Sequence, residues 1–202
     1  GIFLPLAHIE RLLEYNLDKA VVIVDEAYIA FGGESAARLI KKYPNLLVVR
    51  TMSKSHSMAG LRVGYCLGDC ALIDGLNRIK NSFNSYVVDR CAMAAAAAGL
   101  SDEKYYLDTS RRIIATRERV SAELVKMGFK VLPSAANFIF SSPPNGNAQE
   151  LYAFLREHGV LVRYFTGDRV DKFIRVTIGT DEQMGEFIRI TELFIKTFKE
   201  KR

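Results

Sequence analysis

Ala20–Asp25 reads AVVIVD and Asn45–Thr51 reads NLLVVRT. Both runs are apolar at consecutive positions, without the alternation of a strand that has one wet face. Such runs suit parallel strands covered by helices on both sides. The flanking sequence agrees. Pro5–Tyr15 has helical spacing with proline in its first turn, Ser35–Tyr43 reads as a second helix, and Arg62–Leu67 as a third strand. Strands and helices alternating at this spacing predict an α/β sheet.

Working outward, helices are expected over Cys70–Lys80 and Asp89–Ala98, the second ended by Gly99. The run AMAAAAAG at its end has side chains small enough to admit a close neighbour. A long helix from about Asp102 to Met127 then leads into a differently built region. Short strands are expected there at Lys130–Leu132, Asn137–Ser141, Val160–Arg163 and Phe173–Ile178. Asn147 with Glu150 resembles a capping box ahead of helix Ala148–His158, which Gly159 ends; Thr180 with Gln183 caps the last helix. Met184, Phe187, Ile188, Thr191, Phe194, Ile195 and Phe198 fall on one face of that helix. The predicted division is residues 1–110 and 111–202.

Of the 202 residues, 49% are hydrophobic and 25% charged, the profile of a globular chain. No apolar run approaches the ~20 residues of a membrane span, and no leader with a cleavage site is visible. No membrane partner is expected, and a cytoplasmic location is. The three cysteines, Cys66, Cys70 and Cys91, lack CxxC spacing, so reduced, buried thiols are expected rather than a disulfide scaffold or zinc site. The net charge of +5 is spread along the chain, apart from a terminal KEKR, and nucleic-acid binding is not expected. His8, His56 and His158 stand in separate contexts and make neither a metal set nor a catalytic triad. The chain opens at Gly1 and runs directly into a helix, which reads as a piece of something longer.

The chemistry-bearing residues gather after the strands, where open α/β sheets bind ligands. Lys54 follows the second strand in RTMSKSH. Alone it is an ordinary surface lysine; as a nucleophile it would need a fixed position and a lowered pKa. Thr51 and Ser53 add hydroxyls, and Arg62 lies eight residues beyond Lys54. Hydroxyls with a forked cation suit a phosphate dianion. Asp25 leaves the first strand, followed by Glu26 and Tyr28. A carboxylate there is either a turn residue or a partner for a pyridine nitrogen, and Glu26 competes for that role. Arg163 and Arg175 interrupt apolar strands, which is costly without an anion; each serves either a structural ion pair or a substrate anion.

VDEAY, RTMSKSHSMAGLRVGY, NSFNSY, PSAANF, GVLVRYF and FIRVTIGT occur in that order. Together they resemble the fold-type-I pyridoxal-phosphate aminotransferases, and within them the histidinol-phosphate aminotransferase branch. Val87 departs from the proline that often follows NSFNSY. The resemblance implies the C-terminal half of the mostly parallel large-domain sheet plus a small α+β C-terminal domain. Residues 1–110 would be part of the cofactor-binding large domain and 111–202 the small domain. The family's phosphate loop, ring-stacking aromatic and Asn-Pro turn would precede Gly1.

The cofactor implied is pyridoxal 5'-phosphate (PLP). Lys54 would be the Schiff-base lysine, Asp25 the partner of the pyridinium nitrogen, and Tyr28 that of the phenolic oxygen. Thr51, Ser53 and Arg62 would hold the phosphate, while Arg175, with Arg163 as a further candidate, would grip the substrate anion. The implied reaction is transamination of histidinol phosphate with 2-oxoglutarate, forming glutamate, in a homodimer, without a metal. The alternatives are a threonine-phosphate decarboxylase, an aromatic aminotransferase, or a non-catalytic aminotransferase-like fragment.

Overall fold

The computed structural model describes residues 1–200, with side chains through Thr197. Two compact units separate: Phe3–Ser110, and the chain from Arg111 onward together with Gly1–Ile2.

In the first unit, β1 (Val22–Asp25), β2 (Leu46–Thr51) and β3 (Gly64–Gly68) form one sheet in that order. β1 and β2 are parallel, in a register running from Val22↔Leu46 to Asp25↔Val49. β2 and β3 are antiparallel, with Thr51 opposite Gly64 and Arg50 opposite Tyr65. The mostly parallel sheet expected for the large domain is therefore corrected: one pairing is parallel and the other is not. The cause lies in residues 52–63. A parallel neighbour needs a crossover back to the far end of the sheet. Here the connection folds locally, as α2 (Met52–Ser55) and a 3-10 turn at Ala59–Leu61, so β3 starts beside the end of β2.

Period-two alternation sorts the strand residues onto two faces. Val22, Val24, Leu46 and Val48 pack with Ile9 and Leu13 of α1 (Leu6–Tyr15) and with Ala36 and Tyr43. On the other face of β1, Ile23 is 64% exposed, so this strand is covered on one side only among the described residues. The helix expected over Ser35–Tyr43 is a 3-10 turn, Ala36–Leu39, capped by Ser35. Pro44 disfavours helical backbone at Tyr43 and so bars a helix from reaching it.

Helices α3 (Cys70–Phe83), α4 (Arg90–Ser101) and α5 (Glu103–Lys126) follow, and the boundary between the units falls within α5. Gly99 lies inside α4 rather than ending it. A Cβ there would come within 2.6 Å of Met58 Cε and 3.2 Å of Met52 Cε, so the small-residue run does admit a close neighbour. The cysteines are free, but Cys70 and Cys91 are exposed and only Cys66 is half-buried; the expected burial of all three is corrected.

The second unit has an antiparallel sheet of order β4-β5-β7-β6. Its strands are β4 (Lys130–Val131), β5 (Phe138–Ser142), β6 (Arg163–Tyr164) and β7 (Ile174–Thr177). α6 (Ala148–Glu157) and α7 (Asp181–Glu200) pack on it around Ile139, Leu151, Leu155, Ile174, Phe187 and Ile190. β6 begins later than the expected Val160. Gly159 turns left-handed at φ 78° and Val160 N–H closes onto Leu155 O, so the chain is still leaving α6 there. At α7 the capping box is reciprocal: Thr180 N–H donates to Gln183 Oε1 at 2.9 Å and Gln183 N–H to Thr180 Oγ1 at 3.3 Å. Met184, Phe187, Thr191 and Phe194 are buried on its inner face, with Ile188 and Ile195 beside them. The side chain of Phe198, expected on the same face, lies outside the described residues.

Candidate functional site

β1 and β2 end side by side, and the loops leaving them carry most of the predicted residues. Asp25 closes β1 with its side chain exposed, and its Oδ1 accepts the Ala27 N–H at 2.9 Å. Tyr28 opens the 3-10 turn Ile29–Phe31. From the neighbouring strand end, Lys54 reaches over this tyrosine, with Nζ 6.0 Å from the ring centroid. That is within cation–π range. Thr51 caps α2 by accepting the Ser53 N–H at 3.1 Å, and the two hydroxyl oxygens lie 2.9 Å apart. Arg62 is exposed and adopts the left-handed region at φ 56°, donating from Nη1 to Ala59 O at 2.8 Å. The strand ends thus bring Lys54 to Tyr28 and Thr51 to Ser53, while Asp25 and Arg62 hold to their own turns.

The opposite face of the same strand ends carries a buried network that sequence reasoning passed over. Glu26, only 6% exposed, accepts the Ala36 N–H at 2.6 Å and the Ser35 hydroxyl at 2.8 Å. Arg50 donates through Nε to Glu26 Oε2 at 3.0 Å and through Nη2 to Ser35 Oγ at 2.7 Å, with Nη2 also 2.9 Å from Glu26 Oε2 as an ion pair. With three hydrogen bonds and an ion pair directed at it, Glu26 is committed to this network. Burial of the Arg50 guanidinium favours its neutral form, but bonding to Tyr65 and Glu26 outweighs that and raises its pKa. The sequence shows an acid after one apolar run and a base at the end of the other, but only the register of β1 and β2 brings them together.

Behind α2, His56 stacks on Tyr106 with ring centroids 5.0 Å apart, and its Nδ1 lies 2.9 Å from Ser55 Oγ. Partial burial lowers the imidazole pKa below its ordinary value. A cavity of about 350 Å³ opens between these rings, Arg50, Tyr65 and Glu103.

In the second unit, Arg163 and Arg175 face each other across β6 and β7. The Arg175 guanidinium lies 5.3 Å from the Phe138 ring centroid and 5.7 Å from that of Phe165, and Arg163 lies 5.5 Å from Phe165. Arg175 Nε is buried without a hydrogen-bond acceptor among the described residues. A buried, unpaired donor on a cation is costly, and an anion would satisfy it. Arg175 lines a cavity of about 290 Å³ with Gly1, Leu132, Ser134, Phe138 and Phe165.

Comparison with known proteins bears on this arrangement. Residues 1–190 match the family model of aminotransferase class I and II. The chain is 54% identical over 186 residues to the histidinol-phosphate aminotransferase of Clostridium acetobutylicum, covering 92% of this chain and 53% of that protein. It is 50% identical over 197 residues to histidinol-phosphate aminotransferase 1 of Hydrogenovibrio crunogenus, covering 98% and 55%. The fold is similar to the crystal structure of histidinol-phosphate aminotransferase from Sinorhizobium meliloti in complex with pyridoxal-5'-phosphate. That match has a TM-score of 0.85 at 23% identity, over 98% of this chain and 55% of that one. The chain spans about half the length of the curated relatives it matches. The family match runs through both units, so the expectation of only a C-terminal half of that architecture is corrected: large- and small-domain parts extend across nearly the whole chain.

Proposed function

The chain belongs to the class I and II aminotransferases, and from that premise we propose that it carries out PLP-dependent transamination of histidinol phosphate with 2-oxoglutarate, forming imidazole-acetol phosphate and glutamate in histidine biosynthesis. The observation that carries this reading is Lys54 Nζ held over Tyr28 where two parallel strands end together. The names of the curated relatives support the choice of substrate.

The donor set fits the cofactor. An amine, a phenol and a carboxylate leave adjacent strand ends, with a hydroxyl pair and a guanidinium on the same connection. Asp25 would hold the ring nitrogen protonated and Tyr28 would donate to the ring oxygen. Thr51, Ser53 and Arg62 would bind the phosphate through hydroxyls and a forked cation. When bound, PLP supplies an electron sink for the carbanion that forms at the substrate α-carbon. Lys54 Nζ would take the proton from that carbon and hand it on to the cofactor within the same half-reaction, and would carry a proton to the α-carbon of the second substrate in the other. Its place at a strand end limits the search for that geometry.

Arg175, with Arg163 opposite, binds the substrate phosphate in one half-reaction and a carboxylate of glutamate in the other. The buried Arg175 Nε supports this role. Residues 1–110 hold the cofactor and residues 111–202 supply the anion-binding arginines. The assembly is a homodimer in the cytoplasm. Among the described residues, no helix is long and apolar enough to cross a membrane.

Incubation with PLP, borohydride reduction and peptide mass mapping tests the assignment. The expected result is a mass increment on the peptide containing Lys54, lost in Lys54→Ala, and glutamate formed from 2-oxoglutarate only with histidinol phosphate. An unmodified Lys54 would overturn the reading. Release of carbon dioxide without glutamate would replace it with a decarboxylase.

A further inference from the structure

The Glu26–Arg50 pair joins the two loops that carry the proposed cofactor residues. Glu26 follows Asp25 directly and precedes Tyr28 by two positions; Arg50 directly precedes Thr51, which begins the Thr51–Lys54 turn. Backbone pairing ends just there, with Glu26 N–H donating to Val49 O at 2.8 Å. Beyond that bond, β1 and β2 are linked by side chains. Alternation places Glu26 and Arg50 on the face away from Asp25 and Thr51, so the pair can brace the loops without occupying the ligand side. Ser35 closes the arrangement into a ring of three. It donates to Glu26 Oε2 at 2.8 Å and accepts from Arg50 Nη2 at 2.7 Å.

Stability alone does not account for such a pair, because apolar groups of similar volume are often as stable in its place. Its geometry supplies something apolar groups lack. Two guanidinium nitrogens converge on one carboxylate oxygen, and the other oxygen is taken by the Ala36 N–H. This defines the displacement of one strand end against the other in a way that sliding contacts do not.

We propose that Glu26, Arg50 and Ser35 are positioning residues that set the spacing between the Asp25–Tyr28 loop and the Thr51–Lys54 turn, and thereby the affinity for pyridoxal phosphate. This rests on the cofactor reading above. None of the three is among the residues proposed to hold the cofactor; each acts through the loop it holds.

The test uses Glu26→Gln, which keeps shape and removes charge, and Arg50→Lys, which keeps charge and removes the fork. The dissociation constant for PLP is measured by its visible absorbance well below the melting temperature, with induced circular dichroism of the bound cofactor as a second signal. A rise of at least tenfold in the constant, with a weakened dichroic band, is expected in folded protein of either variant. A merely structural role would lower the melting temperature and leave both signals of the folded protein unchanged; that result overturns the proposal. If neither variant folds, Ser35→Ala decides by the same two signals, because it removes only the shared hydroxyl. Borohydride trapping on the unsubstituted chain separates the two readings. No label on Lys54 overturns the cofactor assignment and this proposal with it, whereas a label on Lys54 with unchanged variants overturns this proposal alone.

Discussion

Arg163 and Arg175 are cross-strand partners, paired Cα to Cα between β6 and β7, with both guanidinium groups within 6 Å of the Phe165 ring centroid. Like charges directly opposite one another destabilise a strand pair. The ligand-free protein therefore carries a repulsion that an anion bound there would relieve. Arg163→Gln is expected to raise ligand-free stability by about 0.2–1 kcal/mol and to reduce the stabilisation gained from added inorganic phosphate. Urea melts at low ionic strength, with and without phosphate, measure both effects. The difference between the proteins should shrink as salt screens the pair. Lower ligand-free stability in the variant would count against an unrelieved repulsion.

Arg62 sits in a backbone region that side-chain-bearing residues avoid, at φ 56° and ψ 36°. Such strain persists where function requires the side chain. Arg62→Gly is expected to stabilise the ligand-free fold by about 1 kcal/mol, since glycine adopts this region without steric penalty. The same substitution should weaken PLP binding at least tenfold through loss of the guanidinium. A denaturant melt and an absorbance titration on one preparation compare the two. A variant that binds the cofactor as tightly as the parent removes Arg62 from the phosphate site.

His56 gives the fold a pH dependence of defined sign. Burial lowers its pKa in the folded chain below the ordinary 6.5. The unfolded chain therefore takes up its proton first as pH falls. The contribution of neutral His56 to stability is complete above 6.5 and is lost as pH falls through the lowered folded value. His56→Phe retains a ring against Tyr106 and cannot titrate. Its stability relative to the parent should be constant above pH 6.5 and improve steadily as pH falls from 6.5 through the lowered folded value. Urea midpoints across that interval provide the measurement, and parallel curves would show that His56 does not titrate differently on folding.

Gly33 has φ 102°, and a Cβ added to it would meet the ring of Phe3. Both the backbone and the space are closed to alanine. Gly33→Ala is expected to cost about 1–3 kcal/mol, read as a lower urea midpoint with an unchanged slope. A neutral result would mean that Phe3 and the turn move aside together.

Much of this was legible from local sequence. The runs at Ala20–Val24 and Asn45–Thr51 identified β1 and β2 because uninterrupted β-branched and leucine residues have few other uses. Thr180 with Gln183 located the start of α7 because the capping box is a short-range device. The direction of β3 was not legible, since it depends on how compactly residues 52–63 fold rather than on the composition of the strand. The Ser35–Tyr43 helix stops short as a 3-10 turn at Ala36–Leu39, and Pro44 accounts only for its failure to reach Tyr43. The motif around Lys54 drew attention to the end of β2, yet the Glu26–Arg50 bond beneath it depends on strand register, a relation between distant segments that neither segment displays alone. The Arg163–Arg175 pairing was hidden for the same reason.

The antiparallel return of β3 has one more consequence. Thr51 and Gly64 are register partners between β2 and β3, and beside them Met52 N–H donates to Val63 O at 3.1 Å, which closes the segment that carries Ser53, Lys54 and Arg62. That segment is an Ω-shaped loop whose ends are clasped before any ligand arrives. The entropy of closing it is lost when the chain folds, and little ordering remains for the binding event. Calorimetry of cofactor binding should accordingly return a small heat-capacity change, unlike the large negative value that accompanies a loop folding around its ligand.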